Sequence, residues 1–180
     1  MDAAVDLYQQ ILIKNENHAP ANFAIGRILL SREDFKGIPM IEQAMDLTSD
    51  LVPVGCALIQ GFLWQHDRED EAEAFYRRAK EHERIVALSA LERRRIHRRD
   101  RFIETGLDDA TIAPIREELS KCPEVARAFL VRKEVTYFPE RFLFVLGVVP
   151  RFREAFRFRL RTSQGLAKRL ASKMNLPCIV

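Results

Sequence analysis

The sequence predicts an α+β protein in which a helical repeat, an α-α superhelix, precedes a small α-β-β-α-β domain. The first half of the 180-residue chain matches itself at an offset of 34 residues, so that 19–50 and 53–83 each read as a helix-turn-helix. From Val125 onward, runs of branched and aromatic residues replace the helical rhythm. Charge divides along the same line. Residues 1–90 hold 9 Lys plus Arg against 15 Asp plus Glu, or −6, which leaves 20 against 11, or +9, for residues 91–180. The expected domains are 1–105, helical repeats closed by a long helix, and 106–180, the α+β part.

Ala4, Tyr8, Ile11 and Leu12 have helical spacing and read as the second helix of a pair whose first is missing. In the first full unit Phe23, Ile25, Ile28, Leu29 and Leu30 recur on a helix, Asp34-Phe35-Lys36-Gly37 breaks it, and Ile38, Ile41, Met45 and Leu47 resume. Pro39 is comfortable only in a first turn, because it lacks an N–H and crowds the preceding carbonyls, so that helix should start at Gly37 or Ile38. The second unit repeats the plan with Leu58, Ile59, Phe62 and Leu63, a polar break over 65–68, then Ala72, Phe75, Tyr76 and Ala79.

This pattern resembles the tetratricopeptide repeat, in which small residues fall at the eighth, twentieth and twenty-seventh positions. Gly26 takes the eighth place, Ala72, Tyr76 and Ala79 the twentieth, twenty-fourth and twenty-seventh, and Ala4 with Tyr8 the corresponding places of the half unit. The resemblance covers about residues 1–85. It departs at Gln60, which is not small although Gly61 follows, and at Ile38 with Glu42, so either the register slips by one residue or one helix is a residue short. What the resemblance implies is a binding scaffold whose first helices line a concave groove, at Phe23, Arg27, Leu30 and Ser31, then Ala57, Gly61, Trp64 and Gln65. Trp64, the single tryptophan, is either an anchor exposed in that groove or a core residue beneath the next helix. So short a stack needs caps, and homodimerisation through Val5, Leu7, Tyr8 and Leu12 is one way to cover the half unit.

No glycine or proline occurs from Arg68 to Thr105, and Phe75, Ala79, Ile85, Leu88, Leu91, Ile96 and Ile103 keep a helical rhythm, which predicts a long helix, or two with a bend near Glu83, stopped by Gly106. Asp108 or Asp109 should cap a helix with Ile112, Ile115 and Leu119 inward, ending at Cys122-Pro123. Strands are expected over 125–135 and 142–149, a helix over 163–174 and a third strand over 177–180. The apolar finish at Ile179-Val180 reads as a chain cut short of a longer protein, which could be an enzyme with this region as accessory.

Chemistry is sparse. His82-Glu83 opens like a zinc-protease helix motif, but Val86 stands where the second histidine ligand belongs. Cys56, Cys122 and Cys178 are far apart and read as unpaired thiols. Adjacent carboxylates such as Glu117 and Glu118 diverge by about 100° on a helix and cannot share one substrate bond. No nucleophile, base and oxyanion donor assemble, so neither catalysis, a metal nor a cofactor is expected.

Two basic stretches suggest nucleic acid, RNA above all, as an alternative to a protein or peptide partner. Arg93, Arg94, Arg98, Arg99 and Arg101 would spread cations around a helix, and Arg157, Arg159 and Arg161 alternate with Phe156, Phe158 and Leu160 as on a strand. The first stretch also fits a solvated helix whose arginines pair with the acidic half, and the second a half-buried edge strand whose cations discourage edge pairing. With 47% hydrophobic and 31% charged residues, no apolar run of membrane-spanning length and no basic, apolar leader, the expected compartment is the cytoplasm.

Overall fold

The computed structural model describes residues 2–123 and 125–151. It is α+β: six α-helices among the described residues and a three-stranded antiparallel sheet. Two compact units divide the chain, Met1–Val86 and Ala87–Val180.

The first unit is a run of consecutive packed helices: α1 (Asp2–Lys14), α2 (Ala19–Leu30), α3 (Gly37–Leu47), α4 (Val52–Gln65) and the first part of α5 (Glu69–Arg94). His18 begins α2 by accepting the Ala21 N–H at Nδ1, 3.2 Å, and Pro20 sits in the first turn, where its missing N–H is harmless. α3 starts at Gly37 with Pro39 in its first turn, as the sequence predicts. Glycines set how closely these helices approach. A Cβ on Gly26 would lie 2.6 Å from Ile41 Cγ1 and 2.8 Å from the Gly37 carbonyl oxygen, and one on Gly55 would lie 2.8 Å from Met45 Cγ. Gly61, by contrast, faces open space.

Ile41, Met45, Ile59 and Leu63 are almost fully enclosed, and Leu30, Val52, Cys56, Phe62 and Ala72 complete one core, with Phe23, Phe75 and Ala79 against its rim. Each such large side chain contributes about 1.5 to 3 kcal/mol by leaving water. Burial raises the Cys56 thiol above its ordinary range, and its Sγ lies 3.8 Å from Met45 Sδ. It is an enclosed thiol, as expected.

The two helix ends, of α2 and α4, close identically. Glu33 and Asp67 both take left-handed backbone, φ 59° and 56°. Around them Glu33 N–H donates to Leu30 O and Asp34 N–H to Leu29 O, while Asp67 N–H donates to Trp64 O and Arg68 N–H to Leu63 O. Every residue in the second set is the first shifted by 34, so the sequence period is kept at the turns. It slips elsewhere: α2 begins at Ala19 and α4 at Val52, one residue early for that period.

In the second unit the expected long helix stops at Arg94, not Thr105. Residues that continue the helical rhythm in sequence form a loop and then β1 (Phe102–Ile103), while Gly106, at φ 70°, turns the chain outside any helix. α6 (Asp109–Ser120) is capped by Asp108, whose Oδ1 accepts the Thr111 N–H at 2.8 Å. β2 (Val125–Lys133) and β3 (Leu143–Pro150) pair antiparallel from Lys133↔Leu143 to Val125↔Pro150, with an irregularity between Val125 and Arg127. β1 adds to the other edge of β2 through Phe102↔Lys133 and Ile103↔Arg132. Ile115 and Leu119 of α6 cover Leu130, Leu146 and Val148 on one sheet face. The helix expected at 163–174 and the strand at 177–180 lie outside the described residues.

Candidate functional site

Seven of the eight residues expected to line a groove fall on two helices, α2 and α4, which touch one another, and Ser31 caps the end of α2. Their roles separate. Leu30 is 8% exposed and Phe23 packs on the core, so both chiefly hold α2 in place. Ser31 Oγ donates to the Ile28 carbonyl at 2.7 Å. Arg27 is exposed, and among the described residues its guanidinium has no ion pair or hydrogen bond. Ala57, Trp64 and Gln65 are exposed on α4, with Trp64 at 56%, and Gly61 opens between them. Of the two roles the sequence allows for Trp64, the exposed one is found.

Val54, 45% exposed, belongs with this set although the sequence reading omits it. Positions 54, 57, 61 and 64 are three, four and three residues apart, so they form one helical stripe, and that stripe is apolar throughout. The opposite side of α4 supplies Cys56, Ile59, Phe62 and Leu63 to the core. Because α4 is hydrophobic on both sides, a periodicity reading does not separate its faces. In α1, Leu7 is 58% exposed, whereas Val5, Tyr8 and Leu12 are half-buried, which leaves only part of the expected dimer surface facing outward.

The basic residues are distributed differently from the helical array expected. Arg93 is not a surface cation: its guanidinium donates to Ser89 Oγ, to the Phe138 carbonyl at 2.9 Å and to the Arg141 carbonyl at 3.2 Å. Arg101 lies 3.5 Å from Glu134. Arg94, Arg98 and Arg99 remain exposed, and Arg95 joins them. None of these four side chains has a partner among the described residues. Arg157, Arg159 and Arg161 lie outside the described residues.

A polar cluster around the buried Lys133 replaces the missing helix turns. Lys133, 4% exposed, donates from Nζ to the Glu92 carbonyl at 2.9 Å, the Arg95 carbonyl at 3.0 Å and Asp100 Oδ2 at 2.8 Å. It therefore satisfies the open carbonyls of the α5 C-terminus, where positive charge also opposes the helix dipole. Asp100 in turn accepts the His97 N–H at 2.6 Å. That N–H and the Lys133 ammonium hold its carboxyl below the usual range. Glu92 takes the backbone N–H groups of Thr136 at 2.8 Å and Tyr137 at 3.1 Å. Burial pushes the Glu92 carboxyl up, but those donors outweigh it and the net shift is downward. Phe138, between these anchors, is held at φ 52°, an uncommon conformation for a bulky residue.

Chemically, these arrangements anchor backbone. Among the described residues no group of three or more His, Cys, Asp and Glu could hold a metal ion. No helix among them is long and apolar enough to cross a membrane. Fold and surface define a class, consecutive packed helices compatible with a helical repeat joined in one chain to an α+β unit. No protein-family model matches this chain, and neither a curated protein nor a solved structure does.

Proposed function

We propose that residues 1–86 form a tetratricopeptide-like interaction module, non-catalytic, which binds a segment of another protein along α2 and α4. The observation that carries this reading is the apolar stripe Val54, Ala57, Gly61 and Trp64, set on a helix whose other side is already packed. Support for the repeat comes from the matched left-handed turns at Glu33 and Asp67. An exposed tryptophan beside a glycine that faces open space offers an anchor and a place for a partner backbone to approach closely. Arg27, one 34-residue period before Gly61, supplies for orientation an exposed charge that has no partner among the described residues.

The test uses the full chain with a photo-crosslinking residue at position 57 or, as a control, at Gln43 on the exposed side of α3. A discrete protein adduct from position 57, absent from position 43 and lost in Trp64→Ala/Arg27→Ala, is the expected result. An adduct pattern the double substitution leaves intact overturns the groove.

A further inference from the structure

We propose that the sheet face opposite α6, together with the arginine loop beside it, binds single-stranded nucleic acid. Residues paired across an antiparallel sheet point to the same side. Lys133 with Leu143, Val131 with Val145, Phe129 with Gly147 and Arg127 with Val149 therefore share one face, while Leu130, Leu146 and Val148 take the other, under α6. That first face is open over much of its length. Phe129 is 53% exposed and Val149 41%, and a Cβ on Gly147 would come no nearer than 3.8 Å to any neighbour, the Phe129 carbonyl. An aromatic ring beside a bare glycine forms a flat platform on which a base can lie. Arg127 stands exposed on the same face, with no partner among the described residues.

The cations come from the loop after α5. A cleft of about 180 Å³ lined by Arg94, Ile96, Leu143 and Val145 places the start of that loop against the same face. Arg98 and Arg99 form its turn, and the Lys133–Asp100 pair with the Asp100–His97 hydrogen bond fixes its base. Arg94, Arg95, Arg98 and Arg99 are thus presented on a held backbone without acidic partners among the described residues. Exposed arginines alone fit any polyanion. Adding Phe129 across from Gly147 favours unpaired bases, because stacking needs a base face that a duplex keeps inside.

Full-length protein is titrated against a fluorescein-labelled oligothymidylate by anisotropy, over a fourfold range of salt. Five arginines engaging phosphates of a single strand give a log–log salt slope of about −3.5, so affinity falls roughly a hundredfold across that range. Arg98→Ala/Arg99→Ala is expected to flatten the slope to about −2. Phe129→Ala lowers affinity about five- to a hundredfold at an unchanged slope, and Phe129→Tyr retains it, which separates stacking from a folding defect. Trp64→Ala/Arg27→Ala leaves oligonucleotide binding as it was, so this inference and the proposed groove stand or fall separately. A slope shallower than about −1, equal affinity of Phe129→Ala and wild type, or equal affinity for duplex overturns it. So does binding to polyglutamate or phosphatidylserine vesicles without binding to the oligonucleotide.

Discussion

Replacing Gly61 by alanine is expected to stabilise the fold, whereas the same substitution at Gly26 is expected to bring no gain or a loss. Both lie inside helices, so each substitution gains about 1 kcal/mol from reduced freedom of the unfolded chain and better helix propensity. At Gly61 that gain stands alone, because nothing lies within 4 Å of the new methyl. At Gly26 the methyl meets Ile41 Cγ1 at 2.6 Å and a backbone oxygen, Gly37 O, at 2.8 Å. The isoleucine is fully buried and the carbonyl belongs to the first turn of α3, so neither can swing aside without moving the helix. Overpacking of this kind costs about 1 to 3 kcal/mol, which leaves Gly26→Ala between neutral and about 2 kcal/mol destabilised. The two variants should therefore differ by about 1 to 3 kcal/mol in urea unfolding followed by far-ultraviolet circular dichroism. Equal stabilisation of both would refute the close approach of α2 and α3.

Two further predictions concern the second unit. Lys133→Met removes the ammonium from two helix-end carbonyls and is expected to destabilise by about 1 to 3 kcal/mol, the cost of leaving such acceptors without their donor; a loss below about 0.5 kcal/mol in urea unfolding would show that the cluster does not hold the loop. Asp100 and Glu92 both have folded-state values below their ordinary ones, so protonation favours the unfolded chain. Their stabilisation is complete above pH about 5 and is lost as pH falls through the lower folded values. Thermal midpoints should drop below that pH, and Asp100→Asn/Glu92→Gln should flatten the drop; a wild-type midpoint constant to about pH 2 contradicts this.

Helices α1 to α4 and α6 were legible because their signals are local: apolar spacing, Pro39 in a first turn, Asp108 as a cap. The end of α5 was not. From Arg68 to Thr105 the chain lacks a breaker, and Leu88, Leu91 and Ile96 prolong the rhythm. What accompanies the stop at Arg94 is Lys133, far along the chain, capturing the Glu92 and Arg95 carbonyls, while Asp100 takes the His97 N–H. A bond between residues so distant leaves no local trace, and a two-residue strand such as β1 leaves none either. The same misreading turned a charged loop into a charged helix and put Arg93 on the surface. The sequence left Trp64 between an exposed anchor and a core residue, because α4 is apolar on both sides and its spacing does not tell one face from the other. Phe129 and Arg127 went unremarked since alternation in β2 is blurred by apolar residues on each face.

The matched turns at Glu33 and Asp67 bear on how such a chain can change length. Both helix ends are closed by the same local hydrogen bonds around a single left-handed residue, neither of them a glycine. A crossover joining the segment before Glu33 to the segment after Asp67 would delete one hairpin and still meet the same backbone instruction at the junction. A duplication between those points would add one. The turn is thus one connection written twice in the chain, the same local bonds closing two helix ends whatever helix follows.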